Sequence, residues 1–552
     1  MRRPSSISLA GRLAAPAVLA ALIAVGSLRI AATWRVFSQT FDEPAHIACG
    51  MEWLDRGTYQ REAQHPPLAR VAAALPLYLR GLHDSPRPDP EIFPAGNDIL
   101  HYGNRYAENL AAARAGVLPF FWLACLGVFF WSRRLAGTWP ALAAVLLFTS
   151  IPPVLAHAAL ATTDMALTAT FTWALFLFAL WVEAPRLRLG LALATALAAM
   201  ALSKFSCVLF FPAAALAVLA LAFGGKPAPV RPLRRYARPL AVVALTAALL
   251  VWAGYRFSVG TVQNAKSMQA FLDSPHGRWS GVARLVAHTP VPAEKFFWGV
   301  ASVMVHARMG HRSFLLGRQG QYGWWYFFPV VLGVKTPLGF SALALLGLWI
   351  AGRGFRRTRD WRPAAPAAAA AAILLVSLPS TVALGSRHIL PVYSLLAVAA
   401  AVAASALWNV TARPVLGRTV VVLLIAWTVA SAAAAHPDYL AYFNELAGGR
   451  PECILVGSDL DWGQDLYRLR DRARALGIPR LSVAYFGSAD VTRQDLPSVT
   501  PLQLGESATG WVAASVSLLE MVPEQFRWLE GRPYQMVGRS IRLYWVPPDA
   551  RP

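Results

Sequence analysis

The sequence predicts a polytopic α-helical membrane protein of about eleven spans, followed by a small α/β domain. Three observations carry that expectation. Of 552 residues, 56% are hydrophobic and only 14% charged, against about 25% charged in an ordinary soluble domain. The apolar residues come in blocks near twenty long, the length that crosses about 30 Å of hydrocarbon. That blocking stops near His436, and the rest of the chain has the composition of a soluble protein.

The spans are read at 13–34, 110–131, 138–155, 163–182, 188–203, 206–223, 238–255, 325–351, 364–384, 388–408 and 417–435. The first follows a basic start, MRRPSSISLAGRL, and is read as an uncleaved helix because its apolar run is long and contains Arg29. Orientation follows from the charge of the short loops. With the N-terminus inside, the inside loops SRRLAGT, EAPRLRLG, GGKPAPVRPLRRYAR, GRGFRRTRDWRP and NVTARPVLGR hold 16 Lys and Arg, and the short outside turns hold 2. Three larger pieces then lie outside: residues 35–109, residues 256–324 and the C-terminal domain 437–552, with 1–436 as the membrane domain. A reporter fused after Pro552 is therefore expected to be active only when exported; activity in the cytoplasm would remove the shared outer face on which the candidate site rests. In a bacterial cell the membrane would be the cytoplasmic one.

Within the first outside loop, FDEPAHIACGMEWLD reads as a short helix with Glu43 as its cap and Pro44 at its first position. After His65-Pro66-Pro67, LARVAAALPLYLRG places Leu68, Val71, Ala72, Leu75 and Leu79 on one face. It is too short to span and is expected to lie in the membrane interface. In the C-terminal domain, ECILVGSDL, RLSVAYFG, GWVAASVSLLE and RSIRLYWVP read as strands, and QDLYRLRDRARALG as a helix closed by Gly477. Strand, helix, strand implies a partly parallel sheet.

The net charge of +22 belongs largely to inside loops and to an Arg-heavy composition, so nucleic-acid binding is a weak reading. Cys49, Cys125, Cys207 and Cys453 stand singly, with no zinc-site or disulfide-framework spacing. A Cys49–Cys453 bridge has nothing to support it.

Ionisable groups near a membrane are costly and mark function. Asp42, Glu43, His46, His65, Asp164, Lys204, Lys335, Arg387 and His388 all map to the outer face or the outer ends of helices. Each has a plainer reading: Asp42 as a solvated loop acid, Asp164 as a helix cap, His65 as a turn residue, and the cations as snorkelling anchors. Cations at outer helix ends nevertheless run against the inside bias and call for an anionic partner, which a lipid phosphate supplies. Loop 256–324 adds Arg256, Lys266, Arg278, Arg284, Lys295, Arg308, Arg312 and Arg318 against Asp273 and Glu294, a basic lid suited to a phosphate.

FDEPAHIACG with HPPLARVAAALPLYL resembles the first outside loop of the GT-C glycosyltransferases. The likeness is greatest to the protein O-mannosyltransferase-like group (glycosyltransferase family 39), and more distant to the lipid A aminoarabinose transferase. It continues through TTDMALT, SFLLGRQGQYGWWYFFPVVLGVKTPLGF, SRHILPVYSLL, HPDYLAYFNELAGG, SDLDWGQDLYRLR and YFG. The resemblance implies the GT-C fold, a polyprenyl-phosphate sugar donor, an acceptor outside the cytoplasm and inversion at the anomeric carbon. It places the base in the Asp42-Glu43 pair, and the Asp of the second outside turn at Asp164. Asp459 stands where the family usually has Asn. The chain is also too short to hold the sugar-binding-like insertion of the eukaryotic mannosyltransferases, so the acceptor stays open among protein, lipid and envelope glycan.

Inverting transfer needs one base, here Asp42, with His46 beside it as a supporting group. A phosphate leaves without a carboxyl acid, unlike an alkoxide. Its developing charge needs cations, for which His65, Lys204, Lys335, Arg387 and His388 are the candidates. Paired carboxylates also suit a hard cation, so a divalent ion at Asp42 and Asp164 stays open. The rival class, a transporter or flippase of lipid-linked sugars, would show repeats and midplane charges on broken helices; neither is visible here. A receptor would need a cytoplasmic output domain, and none is visible.

Overall fold

The computed structural model describes residues 9–87, 91–224, 234–262 and 288–548. Among the described residues six helices are long and apolar enough to cross a membrane: Ala14–Thr33, Tyr106–Ala136, Asp164–Glu183, Leu338–Thr358, Ser386–Trp408 and Pro414–Ala434. Thr138–Phe148 and Pro152–Ala158 meet that test together, bent by 70°. The bend falls just before Pro152-Pro153, where two missing N–H groups end one helix and start the next. Leu187–Ala201, Cys207–Phe223, Arg238–Gly254 and Ala365–Ser377 are apolar but shorter.

The expected span 325–351 is corrected. It is two helices, Phe327–Lys335 and Leu338–Thr358, because Pro337 holds Thr336 in an extended conformation (φ −104°, ψ 130°). The first helix therefore ends at Lys335, turned into the protein rather than continuing through a membrane.

The short helix Glu43–Met51 is buried along its whole length. It lies between Pro67–Tyr78 and Ile92–His101, and glycine lets it approach both. A Cβ on Gly50 would meet the Arg70 carbonyl oxygen at 2.0 Å, and one on Gly96 would meet that of Pro44 at 2.1 Å. Helix Pro67–Tyr78 turns Ala69, Arg70, Ala73, Ala74 and Leu77 inward. The apolar set expected on one face is the outer one, with Leu75 and Leu79 exposed. An outward apolar face suits the membrane interface.

The C-terminal region carries a five-stranded sheet in the order Ser498–Pro501, Arg480–Ala484, Gly510–Ser515, Ile541–Val546, Tyr534–Val537. The first three strands are parallel and the last two antiparallel. Helix Leu466–Ala475 ends before Gly477, whose φ of +62° is open to glycine without strain. The expected strand at ECILVGSDL is corrected: Pro451–Cys453 and Gly457–Asp459 are single 3₁₀ turns. This stretch docks on the membrane domain instead of joining the sheet. Ile454 accepts a hydrogen bond from Leu316, and Ser458 donates to Leu384.

The four cysteines are separate thiols, so no Cys49–Cys453 bridge forms.

Candidate active site

Two ion pairs form the centre. Arg387 Nη1 donates to Asp42 Oδ2 at 2.6 Å, and Lys204 Nζ donates to Asp164 Oδ1 at 2.5 Å. The pairs are neighbours: the charge of Arg387 acts on both Asp42 and Asp164, and that of Lys204 on Asp42. His388 completes the group, under the influence of Lys204, Arg387 and Asp164. Residues from four separated parts of the chain thus meet at one end of the helices.

Two open valences stand out. Arg387 Nε and Asp164 Oδ2 are buried and have no hydrogen-bond partner. Such groups are costly in a finished interior, and here they offer one donor and one acceptor to a ligand. Asp42 is the more accessible acid, with its side chain 23% exposed, whereas that of Asp164 is 1% exposed.

Asp42 occupies the cap position of helix Glu43–Met51, but its side chain makes no capping bond. Its carboxylate is turned to Arg387 instead. The expectation that Glu43 caps the helix is thereby corrected. Glu43 is the first helical residue and is fully buried. Its oxygens accept from Arg114 Nε and Nη2 at 2.8 Å each, from the Thr40 N–H at 2.7 Å and from the Ala161 N–H at 2.9 Å. Arg114 also donates to the carbonyls of Phe37 and Ser38. With its oxygens so engaged, Glu43 ties three segments together and has little freedom to accept a substrate proton.

His46 does not reach the Asp42 carboxylate, contrary to its expected supporting role. Its Nδ1 accepts from Arg70 Nε at 3.2 Å, and its ring meets that of His65 at 5.0 Å. Burial, then the positive charge around it, pushes the His46 imidazole well below its usual range. His65 belongs to the same buried network, 3.5 Å from Glu62 and 3.3 Å from Arg70. Burial also lowers His65, against the pull of Glu62. Burial opposes ionisation of Glu62, yet the adjoining Arg70 and His65 hold its carboxyl below the usual carboxylate range. His65 nevertheless borders the centre, because the charge of Lys204 acts on it.

Lys335 is placed otherwise than expected. Its ammonium donates to the carbonyls of Leu440 at 2.8 Å and Asp459 at 2.6 Å, and lies 4.2 Å from the centre of the Phe443 ring. Two of its three hydrogens are thereby committed to carbonyl oxygens. These contacts join the broken helix to the C-terminal region.

Three residues of the centre were not singled out from the sequence. His157, buried with Nδ1 unpartnered, is within electrostatic reach of Asp164 and Arg387. His311 comes from the second large loop and is acted on by Arg387 and Asp42; burial, with His306 5.4 Å away, lowers it. Trp462 lies under Arg387, with the guanidinium 4.4 Å from its ring centre. For His311, the only pointer in the sequence was the four histidines of that loop. Nothing in the spacing pointed to Trp462.

In the expected basic lid, Lys266, Asp273, Arg278 and Arg284 lie outside the described residues. Arg256 stacks on Trp53 and donates to its carbonyl, and Lys295 lies over Trp298. An open groove of about 790 Å³ lined by Trp34, Arg80, Tyr102 and Arg105 contains none of the residues of the centre. Among the described residues no group of three His, Cys, Asp or Glu side chains is arranged to hold a metal ion. Asp42 and Asp164 are each already matched by a cation. This donor set does not fit the divalent ion left open above, and no step is drawn through one.

The comparisons with known proteins bear on this arrangement. A model of the dolichyl-phosphate-mannose-protein mannosyltransferase family matches residues 108–260. No curated protein sequence matches the chain. Among solved structures, ArnT from Cupriavidus metallidurans in the apo state is similar over 96% of this chain and 98% of its own, at 13% identity and a TM-score of 0.50. Archaeal oligosaccharyltransferase AglB from Archaeoglobus fulgidus is similar over 95% of this chain and 74% of its own, at 11% identity and a TM-score of 0.52. Both are GT-C glycosyltransferases. This chain has the GT-C fold. At these identities the likeness is one of architecture alone.

Proposed function

We propose that the chain is an inverting glycosyltransferase that moves a sugar from a polyprenyl-phosphate donor to an acceptor hydroxyl on the extracytoplasmic side of a bacterial cytoplasmic membrane. The observation that carries this reading is the Asp42–Arg387 pair with its unpartnered guanidinium Nε. One side chain thereby links a partly open carboxylate to a donor group that a phosphate oxygen would satisfy. The AglB structure, whose fold this chain shares, is a complex with an inhibitory peptide and a dolichol-phosphate, a lipid phosphate of the class proposed here.

In the step, Asp42 takes the proton of the acceptor hydroxyl as its oxygen attacks the anomeric carbon. The bond from that carbon to the phosphate oxygen breaks, and its electron pair leaves with the polyprenyl phosphate. Arg387, Lys204 and His388 face the charge that grows there. Asp164, held by Lys204, keeps one oxygen free to accept from a sugar or acceptor hydroxyl.

The test is binding of undecaprenyl phosphate to the purified protein in lipid nanodiscs, followed by turnover with a panel of polyprenyl-phosphate sugars. Arg387→Gln is expected to weaken undecaprenyl phosphate binding by roughly ten- to a hundredfold, the worth of a charge-assisted contact in a dry site. Lys335→Met is expected to leave binding within about threefold and to lower the melting temperature, since its contacts are internal. A parent protein that does not bind the lipid, or an Arg387→Gln variant that binds as the parent does, would count against the reading.

A further inference from the structure

The C-terminal region packs against the first loop beside the centre. Residues 462–464 run beside residues 38–41 of the first loop. Ser38 N–H donates to the Gln464 carbonyl and Phe41 N–H to the Trp462 carbonyl, each at 3.0 Å. The Phe41 carbonyl in turn accepts from Ser488 Oγ at 2.5 Å. The residue next to Asp42 is thus held on both its N–H and its C=O by the C-terminal region. The segment is itself anchored by Asp461, which accepts from the N–H groups of Ser517 at 2.8 Å and Gly463 at 3.3 Å.

From that anchored segment Trp462 projects to Arg387. Trp462 is 4% exposed, and the guanidinium sits 4.4 Å from its ring centre. A cation over an indole face away from water is among the stronger contacts of its kind. Asp42 takes Nη1 and Trp462 covers the guanidinium, while Asp459 holds the adjoining Ser386 through its N–H and Oγ.

Resting on the donor reading above, we infer that Trp462 is a positioning residue of the donor site, holding Arg387 so that Nη1 meets Asp42 while Nε stays free for the donor phosphate. The C-terminal region is on this view part of the catalytic centre, because it fixes Phe41, beside the base, and Trp462, beneath the cation.

The experiment compares Trp462→Leu and Trp462→Phe in full-length protein in nanodiscs, with undecaprenyl phosphate as the probe. Leucine keeps apolar bulk and removes the π face; phenylalanine keeps a face. Trp462→Leu is expected to weaken binding roughly five- to thirtyfold, and Trp462→Phe to restore it to within about threefold of the parent. In an Arg387→Gln background, Trp462→Leu should change affinity by less than about twofold, because the group it positions is gone. Parental affinity in a folded Trp462→Leu protein overturns the inference, and so does an equal loss in both backgrounds. If the parent itself does not bind the lipid, the donor reading fails and the clamp is judged separately. A double-mutant cycle in melting temperature for Trp462→Leu and Arg387→Gln then reads the contact without ligand, and simple additivity overturns it.

Discussion

Asp42→Asn is expected to bind undecaprenyl phosphate and to turn over about 10²–10⁴-fold more slowly than the parent. Asparagine keeps the shape of the side chain and an oxygen that Arg387 Nη1 can still meet, so the pair that orients the guanidinium survives in outline. What disappears is the lone carboxylate of the centre with a side chain 23% exposed, the group placed to take a proton from an incoming hydroxyl. The measurement is release of polyprenyl phosphate from a polyprenyl-phosphate sugar by purified protein in nanodiscs, beside equilibrium binding of undecaprenyl phosphate. Near-parental turnover in Asp42→Asn together with its loss in Asp164→Asn would transfer the base to Asp164 and leave the donor site standing.

The adjoining acid should behave in the opposite way. Glu43→Gln is expected to destabilise the fold by about 3–5 kcal/mol, the usual cost of leaving one member of a buried ion pair without the other. Arg114 would keep its charge at 1% exposure, facing an amide where it had a bidentate carboxylate. Thr40 and Ala161 would each lose a charged acceptor. Thermal unfolding in detergent reads the effect, and the double variant Glu43→Leu with Arg114→Met should recover part of the loss, because replacing both charges avoids the stranded one. An unchanged melting temperature in Glu43→Gln would show that the pair is not a structural tie. The two neighbours thus separate by readout: Asp42 through rate at constant stability, Glu43 through stability first.

This contrast marks where the sequence stopped. Asp42 and Glu43 are adjacent acids at the start of a helix, and local rules could rank them only by their place at its end. Their fates were decided by residues far along the chain, Arg387 for one and Arg114 with Ala161 for the other. The same holds for Lys335. At the outer end of an apolar segment it had the pattern of a cation awaiting an anion, and the carbonyls of Leu440 and Asp459 became visible only when the C-terminal region was folded against it. His46 shared a face with Asp42 on helical spacing, yet Arg70 from the next helix captured its ring.

What the sequence determined by itself is the fold class, a mostly helical apolar domain followed by a small sheet-bearing region. Apolar run length and loop composition are local properties, read directly from the chain, and they identified the apolar helices, the short helix after His65-Pro66-Pro67 and the change of composition near His436. Pro152 and Pro337 break two of those segments, 138–155 and 325–351, that were expected to run straight through. Only the tertiary structure decided which charge faces which. Ion pairs, the stacking of Trp462 under Arg387 and the unpartnered Nε and Oδ2 atoms depend on contacts between residues from 40 to 345 positions apart. No periodicity or spacing encodes such contacts, because in a chain this long each side chain meets its partner only once the helices have packed.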